Sequence, residues 1–204
     1  MGQRVEVFDI REHKKALREK YKQFRRDMPS DVKRQRDESI LSKLTGLEAY
    51  KNAELVLTYV STEIEVDTRK FIIRALGDGK TVAVPRCIAG TRDMDFFIIK
   101  SLDDLERGTF SVSEPIPKKC KKLTRFDGAF CVVPALVYDR EGFRLGYGKG
   151  YYDRFLSAHG NMYRVGICYC GCIATRLVHG RFDVPVNTIV TEKYIKNCGK
   201  AGSD

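Results

Sequence analysis

The 204-residue sequence has no tryptophan and only three histidines, His13, His159 and His179. None of the three stands in a spacing that pairs it with a nucleophile, so a Ser-His-Asp or Cys-His reaction centre has little support. No segment approaches the roughly 20 apolar residues of a membrane span, and the opening Met-Gly-Gln-Arg-Val-Glu lacks the apolar core of a secretory leader. A cytoplasmic location is therefore expected, with no membrane partner. Cysteine is not scarce, since there are seven, but no C-x-x-C pair occurs among them. Tetrahedral zinc sites carry such pairs, so buried reduced thiols are the expectation. Cys168, Cys170 and Cys172 alternate, which places them on one face if that segment is a strand.

What the chain has in excess is positive charge. Thirty-seven Lys and Arg against 27 Asp and Glu give a formal net charge of +10, so partners should be anionic: nucleic acid, a nucleotide or a polycarboxylate. Hydrophobic content of 43% with 31% charged residues is that of a globular protein. The length suits a single domain, 1–204, in which a helical pair at about 11–50 packs on an α/β core at about 53–195.

Residues 11–28 place Leu17, Tyr21, Phe24 and Met28 at helical spacing. Lys14 and Arg18 lie one turn apart with Lys15 beside them, either a solvated basic face or a phosphate clamp. After Pro29 and Ser30 a second helix begins near Asp31. Leu55–Val60 reads as a buried strand, and the loop that follows holds Glu63 and Glu65 at the carboxyl end of that strand, where ligands collect in open α/β sheets. Asp67 or Thr68 caps the next helix. Further strands are expected at Thr81–Val84, ended by Pro85, and at Asp95–Ile99. A short helix is expected at 101–107 and an irregular connection at 108–122. Strands at Ala129–Val133, Arg164–Tyr169 and Thr188–Val190 follow, with a short helix at 173–178 and a frayed tail from Gly199. Arg86 stands at a strand-end corner, facing outward to a ligand. The alternation of strands and helices predicts an α/β protein: three layers, with a mostly parallel central sheet flanked by helices, Rossmann-like.

The most distinctive stretch is Arg-Leu-Gly-Tyr-Gly-Lys-Gly-Tyr-Tyr-Asp-Arg-Phe, residues 144–155. Gly146, Gly148 and Gly150 alternate with Tyr147 and Lys149 directly before a helix. Glycine reaches positive φ without steric cost, so such a run aims backbone N–H groups into one concavity, with the helix N-terminus behind it. The spacing is neither that of a Walker A loop nor that of the dinucleotide fingerprint. A plain turn and a phosphate cradle both remain open. Asp153, in the first turn of the helix, either complements its dipole or holds Mg²⁺.

This core, with Val133, Pro134, Asp139 and Gly142 before it, resembles the 5-formyltetrahydrofolate cyclo-ligases, also called 5,10-methenyltetrahydrofolate synthetases. Lys-Lys-Ala-Leu-Arg near the N-terminus, the loop Tyr59–Thr68, the Val84-Pro85-Arg86 corner and the Met94–Phe96 pair follow the same order, so the resemblance runs from about residue 13 to 192. It implies a ligase with a fold similar to the NagB/RpiA/CoA-transferase-like fold. The expected reaction is ATP-dependent closure of 5-formyltetrahydrofolate to 5,10-methenyltetrahydrofolate, with Mg²⁺ required and ADP and phosphate released. Position by position, it implies that Lys14, Lys15, Arg18, Arg144, Gly146, Tyr147, Gly148, Lys149, Gly150, Tyr151 and Tyr152 meet ATP. Val60, Glu65, Tyr147, Gly148, Lys149, Gly150 and Tyr151 meet the folate. Lys149, Arg144 and Tyr151 act in catalysis, and Asp153 and Asp183 hold the metal. Asn187 departs from the acid expected in relatives. Phe96, Tyr59 and Tyr147 are the aromatic candidates for the pterin. The small-molecule partners are ATP and a reduced folate, with no nucleic acid and a monomeric chain. The alternative is a nucleic-acid-binding module on the basic helix Arg11–Arg26, and a sugar-phosphate isomerase or acyl-CoA enzyme of similar fold would need no ATP.

Overall fold

The computed structural model describes residues 9–108 and 112–199; the expected frayed tail beyond Gly199 lies outside them. Helix α1 (Ile10–Arg26) begins where the Asp9 carboxylate accepts from the N–H groups of Arg11 and Glu12, satisfying donors that a helix start leaves open. Helix α2 (Ser30–Gly46) and the short α3 (Glu48–Asn52) follow. Strand β1 (Leu55–Leu57) leads through α4 (Arg69–Gly77) to β2 (Thr81–Cys87), β3 (Met94–Ile99), β4 (Leu105–Arg107), β5 (Ser113–Pro115) and β6 (Lys121–Lys122). Then come β7 (Phe130–Val133), β8 (Val137–Asp139), β9 (Arg144–Leu145), α5 (Tyr151–Ala158), β10 (Tyr163–Ile167), β11 (Ile173–Ala174), β12 (Thr188–Val190) and β13 (Ile195–Asn197).

The central sheet has the order β13-β12-β10-β7-β1-β2-β3-β6. Its five inner strands, β12 to β2, are parallel, and the outer strands join antiparallel. From β1 the chain crosses through α4 to β2, and from β7 it crosses through α5 to β10 on the other side. Right-handed crossovers running in opposite directions put α4 and α5 on opposite faces. The core divides accordingly. Tyr50 and Phe71 pack on Phe130, with ring centroids 5.6 and 6.5 Å away, while Phe96 and Phe126 pack around Phe155 at 4.6 and 5.1 Å. The expected α/β class, a mostly parallel sheet flanked by helices, is the fold observed.

The N-terminal helices are joined to this core by polar contacts. Arg25, only 4% exposed, donates to the carbonyls of Ala135 and Leu136 at 2.7 and 2.9 Å. Ser39 and Lys43 of α2 both donate to the Glu192 carbonyl. The buried stripe of α1 therefore includes Arg25 beside Tyr21, and Phe24, expected on that stripe, is 37% exposed.

Several local expectations need correcting. Strand β2 does not stop at Pro85 but continues to Cys87, with Pro85 opposite Phe96 of β3. Strand β1 ends at the Ala83 register, so the missing N–H falls where β2 has a partner on one side only. Residues 101–107 are not one helix: a 3₁₀ turn, Leu102–Asp104, closed by a Ser101–Asp104 capping box, gives way to β4. The stretch 108–122 contains β5 and β6. The helix expected at 173–178 is instead β11, which pairs with β8, preceded by a 3₁₀ turn at Cys170–Cys172. Strand β10 ends at Ile167, so Cys168, Cys170 and Cys172 share no strand face. Short apolar runs do not distinguish helix from strand by period.

Candidate active site

Strand order reverses between neighbours β1 and β7, because the chain leaves β1 toward β2 and leaves β7 toward β10. Connections that part at adjacent carboxyl ends leave a crevice between them. One wall is the loop after β1. Thr68 fixes it, donating from its hydroxyl to the Tyr59 carbonyl at 2.6 Å and accepting from the Ser61 N–H at 2.9 Å. Inside the loop Glu65 is 5% exposed, and its Oε2 accepts from the N–H and hydroxyl of Thr62 at 2.8 and 2.9 Å. Glu63 is exposed, so only one of the two acids turns into the crevice. The Val60 side chain is buried in the core. Asp67 accepts from the Arg69 N–H at 2.8 Å and so opens α4.

The second wall is the glycine stretch. Asp139, fully buried, accepts from the N–H groups of Glu141, Phe143 and Leu177, which sets the β8–β9 turn that feeds it. Gly148 and Gly150 take φ of 93° and 77°, the left-handed region that favours glycine. Gly150 is the N-cap of α5 and offers no side chain to it, so the first N–H groups of that helix face the concavity without a side-chain cap. Tyr147 is 43% exposed, yet its hydroxyl turns inward close to Glu65 and Thr62, bringing the two walls together; burial, with the Glu65 charge beside it, raises its phenol above the ordinary range.

Helix α1 lies over this stretch. Arg18 donates from Nε to the Gly146 carbonyl at 3.0 Å, and its guanidinium stands 3.2 Å from where a Cβ on Gly148 would project. Lys14 is within electrostatic reach of Asp153. Lys15 faces solvent, 72% exposed and 3.8 Å from Glu12, so the structure separates it from the other two cations. Behind the stretch Arg144, 4% exposed, pairs with Asp153 and donates to the Val184 carbonyl at 2.6 Å. Burial pushes the Asp153 carboxyl up; Arg144 opposes the shift and the neighbouring Asp183 adds to it. Asp183 accepts from the Gly180 N–H at 2.7 Å.

Among the described residues no group of three His, Cys, Asp or Glu side chains converges as a metal cage. The Asp153–Asp183 pair nonetheless suits Mg²⁺, which keeps waters and phosphate oxygens and asks the protein for one or two carboxylates. Asn187 serves another end, its Oδ1 accepting from the Arg164 N–H at 2.8 Å.

Tyr151 lies on a different wall from Tyr147. Its hydroxyl points to the Thr91 carbonyl at 3.4 Å, beside Cys87 and Glu114. Tyr152 turns inward and buries its hydroxyl without a hydrogen-bond partner. Of the aromatic candidates, Phe96 is locked in the core between Phe126 and Phe155, and Tyr59 is buried, which leaves Tyr147 at the crevice. Arg86 does not face a ligand; it is held by Glu106 and the Pro115 carbonyl at 2.8 and 2.6 Å. The sequence reading missed two features. One is buried Arg25 and the other is a cavity of about 900 Å³ beyond Thr62 and Tyr147, with basic side chains on its walls. Periodicity marks apolar stripes and does not show which cation of a basic helix is buried.

Comparison with known proteins finds relatives over most of the chain. The model of the 5-formyltetrahydrofolate cyclo-ligase family matches residues 10–192. The probable 5-formyltetrahydrofolate cyclo-ligase of Schizosaccharomyces pombe is 28% identical over 78% of this chain and 85% of its own. The 5-formyltetrahydrofolate cyclo-ligase of Mus musculus is 26% identical over 70% and 73%. In structure, the 5,10-methenyltetrahydrofolate synthetase of Aquifex aeolicus superimposes with a TM-score of 0.80 at 29% identity, covering 94% of this chain and 95% of that one. The family model thus spans the chain from helix α1, which covers the glycine stretch, past the end of β12, and the chain belongs to the 5-formyltetrahydrofolate cyclo-ligase family.

Proposed function

We propose that this chain uses ATP to close 5-formyltetrahydrofolate to 5,10-methenyltetrahydrofolate, releasing ADP and phosphate. One observation carries the reading. The glycine stretch meets an α1 cation, Arg18, at one point and, beside Tyr147, approaches Glu65 of the opposite wall at another. Such a stretch suits a reaction in which a phosphoryl group passes from nucleotide to a second substrate.

The formyl oxygen on N5 is a poor leaving group until it carries phosphate. Attack of that oxygen on the γ-phosphorus breaks the bond to ADP. N10 then adds to the activated carbon, the C–O bond breaks with loss of phosphate, and N10 gives up its proton. Little covalent chemistry falls to the protein, so positioning and charge dominate. Lys149 faces the transferring phosphate, supported by the N–H groups of Gly148, Gly150 and the first turn of α5. Arg18 and Lys14 close over the nucleotide. Arg144 orients Asp153, which with Asp183 would hold Mg²⁺; the ion, when bound, neutralises phosphate charge. Glu65 accepts from the pterin N–H groups, the Val60 backbone lies beside them, and Tyr147 and Tyr151 stand on either side of the reacting carbon.

The chain is read as a monomer working in the cytosol. The seven cysteines, all free of disulfides, support a reducing compartment, and no helix among the described residues is long and apolar enough to cross a membrane. A relative in Arabidopsis thaliana is named mitochondrial, so fractionation of cells decides location. The reaction itself is tested by mixing purified protein with 5-formyltetrahydrofolate and Mg-ATP. The near-ultraviolet absorbance of the methenyl product should appear and should require ATP; its absence with folded protein would overturn the reading.

A further inference from the structure

Residues 175–187, between β11 and β12, belong to no helix or strand, and this strap carries Asp183. Its anchors fall together on residues 139–144, the turn that feeds the glycine stretch. The Leu177 N–H donates to the Asp139 carboxylate at 3.0 Å. The His179 ring stacks on Phe143, centroids 3.5 Å apart and planes within 6° of parallel. The Val184 carbonyl accepts from Arg144 at 2.6 Å, and the Val186 N–H donates to the Gly142 carbonyl at 3.0 Å. The fit there is close, since a Cβ on Gly142 would fall 2.7 Å from the Val186 carbonyl oxygen. Between these anchors the strap closes on itself: the Gly180 N–H donates to the Asp183 carboxylate at 2.7 Å, and the Asp183 N–H to the Gly180 carbonyl at 3.1 Å.

Asp139 acts on both sides of this junction. Its Oδ1 accepts from the N–H groups of Glu141 and Phe143 at 3.0 and 2.9 Å and so shapes the turn. Its Oδ2 accepts from Leu177, 38 positions away, and so holds the strap. An aspartate that only closes a turn bonds to backbone groups next to it in sequence; here the second oxygen reaches a segment with no regular structure of its own. We infer that Asp139 is a positioning residue, which fastens the strap to the turn so that Asp183 and Asp153 are presented to Mg²⁺ as a pair. The inference rests on the cyclo-ligase reading, which supplies the Mg-nucleotide. Arg144 completes the link, pairing with Asp153 while it donates to the carbonyl of Val184, the neighbour of Asp183. Groups that orient a metal's ligands without touching the metal govern its affinity nearly as much as the ligands do.

Asp139→Asn tests the role, because it keeps the shape and leaves one accepting oxygen. With that oxygen kept by the turn, the amide NH₂ faces the Leu177 N–H, donor against donor in a buried place, and the strap comes loose. Calorimetry with ATP, once with Mg²⁺ and once with EDTA, reads the result. Affinity for Mg-ATP should fall about ten-fold, while affinity for metal-free ATP stays within about two-fold. Amide exchange across residues 177–186 should quicken in the unliganded variant. In turnover, excess Mg²⁺ should restore kcat, which a general loss of structure would not permit. Asp139 is fully buried, so exposed His179 supplies an independent variant whose folding is not at stake. His179→Ala should lower Mg-ATP affinity about three-fold, one ring pair being lost, at an unchanged melting temperature. An equal loss of affinity with and without Mg²⁺, or parental affinities in both variants, would overturn the positioning role. Methenyl product formed by the parent alongside either of those results would confine the failure to Asp139 and leave the cyclo-ligase reading standing.

Discussion

At the scale of single residues the site depends on charge and on backbone that only glycine adopts easily. On the proposed reading Lys149→Ala removes a full charge from the transferring phosphate, so kcat should fall about 10²–10³-fold, read from methenyl absorbance. At Gly148, with φ of 93° and the Arg18 guanidinium 3.2 Å from the site of a Cβ, alanine meets both backbone strain and the covering side chain. Gly148→Ala should cost about 1–2 kcal/mol and raise KM for ATP more than KM for folate. Asp153 gives a pH dependence. Burial raises its carboxyl pKa, so ionisation opposes folding, and without ligand the contribution of this group to stability improves as pH falls through the raised value. Holding Mg²⁺ needs the ionised form. Affinity for Mg-ATP should therefore weaken on the acid side above the ordinary carboxylate range, and Asp153→Asn should abolish that limb of a calorimetric pH series. The nearness of Gly148, Lys149 and Asp153 is legible in the sequence because they fall in one uninterrupted string. Arg25 was not, because its burial depends on carbonyls at Ala135 and Leu136, 110 and 111 positions away.

Among elements, the strands that read clearly are those with continuous apolar runs, β1 and β7, since burial on both faces removes the polar alternation. Pairs of residues such as Lys121–Lys122 or Ile173–Ala174 form strands only because a neighbour is there to pair with, and no local signal announces that. The same dependence on neighbours shows in β10, where Gly166 lies so close to Tyr138 that an added Cβ would fall 2.5 Å from its ring. The Tyr138 hydroxyl is anchored on the Val133 carbonyl at 2.7 Å, so the ring cannot withdraw cheaply. Gly166→Ala should destabilise by about 1–3 kcal/mol, seen as a lower urea midpoint at unchanged slope. Helix α1 should behave as a cover: Mg-ATP binding should slow amide exchange in Ile10–Arg26 more than in α2, and Arg18→Ala should remove that difference.

For the whole molecule, the alternation of strands and helices was enough to give the class and the parallel sheet, because each apolar run must be covered on two faces. The basic cavity was not legible, its cations being scattered from Lys22 to Arg107. The cysteines give a whole-molecule test. Five of the seven are buried and only Cys87 and Cys170 are partly exposed; burial pushes the Cys131 thiol up to about 12, leaving negligible thiolate at pH near neutrality. A thiol reagent should modify no more than about two groups rapidly in the native protein and all seven in urea.

The parting of the chain at β1 and β7 also divides labour along the sequence. Residues 58–68 build one wall, while residues 134–153, covered by α1, build the other, and the Tyr147 hydroxyl is the narrow seam between them. Each wall is thus a separate cassette. Exchanging 58–68 for the same stretch of a relative should transplant the preference for one pterin over another while the nucleotide grip stays with the recipient, provided Thr62 and Glu65 travel together to meet the tyrosine.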